Sequence, residues 1–137
     1  MDFLAKVEAG LDVTAQEVFD HAVSNVIRQG KKSAKVDPVT GGTGYCLYRG
    51  PNGLRCAVGW CIPDSRYRDH MDAKGSATDV AALIRRGLLP EPLIQHAWLL
   101  EHIQSDHDDV MGDPFVEYFK SAARSTAADY RLEWNHD

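Results

Sequence analysis

The sequence lacks several features that would point directly to a function. No apolar run approaches the ~20 residues of a membrane-spanning helix. The first ten residues, MDFLAKVEAG, have neither the basic start nor the apolar core of a secretory signal. No serine or cysteine lies in a recognised nucleophile motif. We therefore expect a cytoplasmic protein without a membrane segment; the sequence leaves catalysis open and favours a non-enzyme.

Cysteine is scarce, and its spacing is not that of a zinc knuckle. The three cysteines, Cys46, Cys56 and Cys61, are separated by nine and four residues, whereas structural zinc sites use pairs such as C-x₂-C. We expect reduced thiols that pack as small apolar side chains, and no cofactor. The alternative is a zinc site formed by these cysteines with His70 as the fourth ligand.

Positive charge is concentrated in the middle of the chain. Residues 28–86 carry eleven basic and five acidic side chains, whereas residues 100–137 carry three and nine. The sequence pI of about 5.6 argues against a nucleic-acid-binding module, since such modules are usually basic overall. A nucleic acid bound by the basic middle segment is therefore an alternative, and a protein partner is favoured.

Helix signals occupy most of the chain. Residues 14–17, TAQE, form a capping box ahead of an amphipathic pattern that Gly30 ends. Residues 30–44 contain Pro38 and several glycines and indicate a loop. Further helices are predicted at residues 2–9, at 79–86 with Thr78 as the cap, from Pro92 to His107, and from Asp113-Pro114 onwards.

The stretch CLYRGPNGLRCAVGWCIPD, residues 46–64, has strand-forming residues on both sides of a Pro-Asn-Gly turn signal. This pattern predicts an antiparallel β-hairpin over about residues 45–60. A lone hairpin is marginal in water, so it must pack on helices or pair through its free edge, for example in a dimer. We therefore predict one α+β domain over residues 1–137, with four or five helices packed around this small hairpin.

A run of aspartate and histidine ends the predicted 92–107 helix. His107 falls on the same helical face as Leu100 and Ile103, within the sequence Asp106-His107-Asp108-Asp109. A histidine at this position is favoured as a C-terminal cation or as a donor to a free carbonyl. The alternative is a catalytic pair of His107 and Asp108 for general acid–base chemistry, with or without a metal ion.

Candidate binding residues come from two regions. In the predicted hairpin, Tyr48 lies beside Arg55, with Arg49 next to it, and aromatic and arginine side chains are enriched in partner surfaces. The second region is the acidic helix end, which contributes Asp106, Asp108 and Asp109.

Three blocks occur in order across most of the chain: TAQEVFD at residues 14–20, YRGPNGLRCAVG with IPD at residues 48–64, and LLEHIQ with His107-Asp108 at residues 99–108. They resemble an uncharacterised family of small bacteriophage- and prophage-encoded proteins with the signature YRGPxGL(K/R)CAVG…IPD. The chain departs from that pattern at Trp60-Cys61. The resemblance implies a phage accessory role in the cytoplasm of a bacterial host cell, with no particular reaction or catalytic residues.

We therefore expect an accessory protein that binds a host or phage protein. Its acidic surface favours an inhibitor or modulator of a host protein such as a defence nuclease complex, because that surface can compete for a basic groove. A small hydrolase using His107 and Asp108, or a nucleic-acid-binding module, are the alternatives. The sequence identifies neither the partner nor the oligomeric state.

Overall fold

The structure is a computed structural model that describes residues 1–36, 39, 43–72 and 79–137. The described residues form seven α-helices: α1 (Phe3–Glu8), α2 (Ala15–Gln29), α3 (Ala57–Cys61), α4 (Val80–Arg85), α5 (Glu91–Ile94), α6 (Ala97–Asp108) and α7 (Phe115–Asp129). Two short segments, β1 (Ala34–Val36) and β2 (Thr43–Cys46), pair antiparallel but form no layer of their own. The fold is therefore helical, and the predicted α+β class is wrong.

Helix α2 is central to the packing. It contacts α3, α6 and α7, and α6 in turn contacts α3, α4 and α7. The largest fully buried apolar side chains on these three long helices are Phe19 of α2, Leu100 and Ile103 of α6, and Phe119 of α7. Within the ranges given above, no helix combines the length and hydropathy that crossing a membrane requires.

The predicted start and end of α2 are confirmed. Thr14 Oγ1 accepts a hydrogen bond from the Glu17 amide at 3.1 Å, and Glu17 Oε1 accepts from the Thr14 amide at 3.1 Å. Two of the free amides of the first turn are satisfied in this way. Gly30 ends the helix with φ 74°, a left-handed conformation that glycine adopts without strain.

The predicted hairpin over residues 45–60 is wrong, although its turn is present. Pro51 accepts a hydrogen bond from the Leu54 amide at 3.2 Å, and the two residues between them, Asn52 and Gly53, have φ 59° and φ 77°. This is the left-handed turn that closes tight hairpins. The Gly50 amide donates to the Leu54 carbonyl at 2.7 Å, but α3 then begins where the second arm was expected. The hairpin edge proposed for dimerisation is therefore absent.

Two tertiary contacts explain why the second arm is helical. Gln104 Oε1, on α6, accepts from the Val58 amide at 2.9 Å and so satisfies one free amide of the first turn of α3. Gly59 lies so close to Tyr48 that a Cβ on it would stand 2.2 Å from the Tyr48 carbonyl oxygen. Strand propensity depends strongly on context. Here the packing of α3 against α2 and α6 outweighs it.

The other helix boundaries differ from the predictions in detail. The helix predicted from Pro92 to His107 is divided at His96, whose Nε2 is 2.7 Å from the Val13 carbonyl oxygen. Asp79 caps α4 by accepting from the Ala82 amide at 2.7 Å. The predicted cap, Thr78, lies outside the described residues.

Candidate functional site

The end of α6 meets the end of β2 in a polar cluster of Cys46, His107 and Asp108. One potential ligand atom from each side chain lies within 4.8 Å of the other two. The sequence analysis placed the cysteine and the His107–Asp108 pair in separate hypotheses. The fold brings them together because β2 ends at Cys46 beside the last turn of α6.

The hydrogen bonds of His107 fix the tautomer of its neutral ring. The ring is completely buried, and Nε2 accepts from the Ser33 backbone amide at 3.0 Å. In a neutral imidazole the proton is therefore on Nδ1, which donates to Asp108 Oδ1 at 2.7 Å. Gln104 Nε2 donates to the same oxygen at 2.8 Å. His107 thus joins α6 to the segment that precedes β1.

The Cys46 thiol is held in its protonated form. Partial burial, followed by the charge of Asp108 and a hydrogen bond to its carboxylate, raises the pKa of Cys46 to about 12. Thiol reactivity requires the thiolate. The cluster therefore does not present an activated nucleophile at neutral pH.

The same contacts disfavour metal binding by this cluster. A metal ion on Nδ1 of His107 would require the imidazole proton to move to Nε2, which faces the Ser33 amide, itself a donor. Metal-binding histidines normally donate from their second nitrogen. Lys32 adds positive charge nearby, since its Nζ donates to the Asp108 carbonyl at 2.7 Å. The contacts also leave neither ring nitrogen of His107 free to take a proton from a substrate.

The predicted four-ligand zinc set is not brought together. Cys56 and Cys61 are completely buried, and burial raises the pKa of both thiols. His70 is exposed on a short 3₁₀ turn. Among the residues that the structure describes, Cys46 groups with His107 and Asp108 and not with these three.

Arg49 and Arg55 share one acidic partner. Arg49 Nη1 donates to Asp64 Oδ1 at 2.5 Å, and Arg55 Nη2 donates to the same oxygen at 3.0 Å. Arg49 Nη2 also donates to the Ile62 carbonyl at 2.7 Å. The hydrogen bond from Arg49, together with the charge of Arg55, lowers the pKa of Asp64. Two cations and one anion thus meet at a single oxygen atom.

Each of these guanidinium groups lies over an aromatic ring. Arg49 is 4.8 Å from the Tyr67 ring centroid, and Arg55 is 4.9 Å from that of Trp60. The sequence analysis paired Arg55 with Tyr48 instead. Tyr48 is 1% exposed, so it belongs to the core and not to a partner surface.

Asp72 fixes the backbone beside this pair. Its Oδ1 accepts from the Tyr48 amide at 2.8 Å, and its Oδ2 accepts from the Arg49 amide at 3.1 Å and from the Tyr67 hydroxyl at 2.7 Å. The carboxylate therefore holds both Arg49 and the ring beneath its guanidinium group. The sequence analysis did not single out Asp72.

A pocket of about 300 Å³ lies between α6 and α7 and is bordered by acidic residues. Asp106 of α6 and Asp109, directly after the helix, line it together with Met111 and Tyr118. Thr126 Oγ1 donates to Asp106 Oδ2 at 2.6 Å. Within the described part of the chain, the Asp109 carboxylate has no hydrogen bond or ion pair, whereas its backbone amide donates to the Ser105 carbonyl at 2.9 Å.

Large apolar side chains are exposed at this pocket and farther along α6. Met111 is 83% exposed and Tyr118 is 52% exposed. Trp98, 75% exposed, is on the same side of the helix as Asp109, because eleven residues are close to three full turns, but it lies about 16 Å farther along the axis and does not line the pocket. We call Trp98, Asp106, Asp109, Met111 and Tyr118 the α6–α7 face. A tryptophan on the polar side of the α6 pattern was the signal in the sequence that could have revealed it.

No family model, curated protein or solved structure matches the chain. The resemblance to a family of phage-encoded proteins therefore stays an expectation.

Proposed function

We propose that this chain is a binding protein whose α6–α7 face takes a basic segment of a partner protein. The observation that carries the proposal is the exposure of Met111 and Tyr118 at an acidic pocket, with Trp98 exposed farther along the same stripe of α6. Exposed apolar clusters rimmed by polar groups mark interaction sites in soluble proteins. Tryptophan and tyrosine are also the side chains that most often dominate binding energy.

Charge complementarity supports a basic partner. Residues 100–137 carry nine acidic and three basic side chains. The pKa of Asp106 is raised by burial and further by the negative charges of Asp109 and Asp129. Repulsion between neighbouring negative charges is relieved by an incoming cation, so a lysine or arginine of the partner gains favourable contacts.

A host partner fits the resemblance to phage-encoded accessory proteins. A defence nuclease complex binds nucleic acid through basic grooves, and an acidic protein that occupies such a groove would inhibit it. The two alternative functions receive less support from the contacts. His107 is buried with both ring nitrogens engaged, and the basic middle is partly neutralised where Asp64 pairs with Arg49 and Arg55.

The charge component is tested with a fluorescently labelled nine-arginine peptide as the probe. We expect fluorescence anisotropy to show binding at low salt that weakens as salt increases. The double variant Asp106→Asn, Asp109→Asn should weaken binding about tenfold, because two carboxylates are lost. Asp12→Asn, at an exposed acidic residue away from the face, is the single-charge control. Equal affinity of the double variant and the wild type would contradict the proposal.

The apolar component is tested by affinity capture of bacterial proteins at low and high salt. We expect Trp98→Ala to abolish capture of a partner that the wild type retains, since truncation of a central tryptophan commonly costs more than ~2 kcal/mol. Leu11→Ala is the matched control, because Leu11 is 49% exposed on a different segment. If both variants capture the same proteins as the wild type, the α6–α7 face is not the binding surface.

A further inference from the structure

The oxygen shared by Arg49 and Arg55 defines a point that an oxyanion can occupy. Asp64 Oδ1 lies 2.5 Å from Arg49 Nη1 and 3.0 Å from Arg55 Nη2. Convergence of two guanidinium groups on one position is the arrangement by which proteins bind phosphate and carboxylate groups. In this structure the anion at that position is the carboxylate of Asp64.

The two arginines are held in place independently of Asp64. Arg49 donates to the Ile62 carbonyl at 2.7 Å and lies over the Tyr67 ring, while Arg55 lies over the Trp60 ring. Their side chains are only 18% and 21% exposed. Both cations therefore stay in position when the anion between them is exchanged, and little side-chain entropy is lost on binding.

Asp64, in contrast, is held weakly. Its side chain is 78% exposed, and it begins a three-residue 3₁₀ turn. It offers the same oxygen to both guanidinium groups, and its second carboxylate oxygen has no hydrogen bond among the described residues. An exposed carboxylate of this kind gains little free energy from its ion pair, so its side chain can rotate into the solvent at low energetic cost.

We propose that Arg49 and Arg55 form a binding site for a phosphate monoester, and that Asp64 occupies this site until the ligand displaces it. A phosphate monoester carries nearly two negative charges at neutral pH, against one for Asp64. It also presents separate oxygens to the two guanidinium groups. Burial and the nearby charge of Arg49 lower the pKa of Arg55, as expected for two cations that one carboxylate neutralises only in part. The site is independent of the α6–α7 face.

The site is tested by titrating inorganic phosphate at constant ionic strength while the backbone amides of residues 64–67 are followed by ¹H–¹⁵N NMR. We expect millimolar binding to the wild type and about three- to fivefold tighter binding to Asp64→Asn, which keeps the shape and removes the weakly held competing charge. Asp69→Asn is the matched control, since Asp69 is also exposed on a 3₁₀ turn and its loss changes the net charge equally. Adding Arg55→Gln to Asp64→Asn should weaken binding at least tenfold.

Three outcomes would overturn the proposal: Asp64→Asn binds phosphate no more tightly than the wild type, Asp69→Asn gains as much as Asp64→Asn, or Arg55→Gln has no effect. A purely structural role for Asp64 predicts a lower melting temperature that phosphate does not restore, whereas a binding site predicts recovery in phosphate. Phosphoserine and a short single-stranded DNA without terminal phosphates separate the ligand classes. Tighter binding of the DNA would contradict the assignment to a monoester.

Discussion

Substitution of Gly59 by alanine is expected to destabilise the protein, although alanine favours helices. A Cβ at this position would stand 2.2 Å from the carbonyl oxygen of Tyr48 and 3.0 Å from its carbonyl carbon. These are backbone atoms, so no side-chain rotation relieves the overlap. Either α3 or the strand-like segment at Tyr48 must move by about 1 Å to restore ordinary contact.

Two opposing effects determine the size of this change. Alanine in place of glycine stabilises a helix by about 1 kcal/mol. Overpacking commonly costs about 1–3 kcal/mol, and we expect about 3 kcal/mol at this position because backbone atoms must shift. The net loss in the free energy of unfolding is therefore about 2 kcal/mol. For a domain of this length, that corresponds to a melting temperature lower by roughly 6–8 °C.

Urea denaturation followed by far-ultraviolet circular dichroism measures the loss. Gly53→Ala is the comparison, because Gly53 has φ 77° and nothing within 4 Å of its added Cβ. Its cost comes from backbone strain alone and is about 1 kcal/mol. If Gly59→Ala proves as stable as the wild type, the close approach of α3 to Tyr48 does not constrain the fold and the reasoning is refuted.

Further predictions concern three polar side chains, of which His107 is completely buried and Cys46 and Asp72 are partly buried. His107→Ala leaves the Ser33 amide without its acceptor and should lower the free energy of unfolding by about 2–4 kcal/mol in urea titrations; a loss below about 1 kcal/mol would contradict this. With its pKa raised to about 12, Cys46 should react with iodoacetamide at pH 8 at least tenfold more slowly than in the urea-unfolded chain. Because the unfolded thiol ionises near pH 9 while the folded thiol keeps its proton, stability should fall as the pH rises above 9, and less so in Cys46→Ser. Asp72→Asn removes a carboxylate that accepts three hydrogen bonds and should cost about 1–3 kcal/mol by thermal denaturation, whereas Asp69→Asn should change stability little.

The sequence correctly predicted the features that depend on contacts between neighbouring residues. The capping box at Thr14 and the left-handed Gly30 bound α2 as the sequence indicated. The turn at Asn52-Gly53 also forms. The second arm of the hairpin could not be predicted in the same way, because its helical form depends on Gln104 and on the approach of Gly59 to Tyr48. The first contact joins residues 46 positions apart in the sequence, and the second depends on how α3 packs after the turn.

The candidate site shows the same difference between features set by local sequence and features set by tertiary contacts. His107 was recognised as a buried residue on the apolar stripe of its helix, and it is completely buried. Its partners were not predictable, since 60 residues separate Cys46 from His107 and only the folded chain brings them together. Trp98 could have been recognised, because a large apolar side chain on a polar stripe indicates exposure in any amphipathic helix.

The carboxamide of Gln104 has a consequence for how changes in this protein combine. Its oxygen receives the Val58 amide of α3, and its nitrogen donates to Asp108 in the cluster with His107. A displacement of α3 is therefore transmitted to the polar cluster through one planar carboxamide group. A flip of this group, which would exchange its oxygen and nitrogen, would break both hydrogen bonds. Substitutions in α3 and in the polar cluster of Cys46, His107 and Asp108 are thus thermodynamically coupled through Gln104. Their effects on the free energy of unfolding should not be additive. Gln104→Glu would keep the acceptor for the Val58 amide of α3 but would place a second negative charge beside Asp108. The contact with α3 would then be kept while the contact with the polar cluster became repulsive.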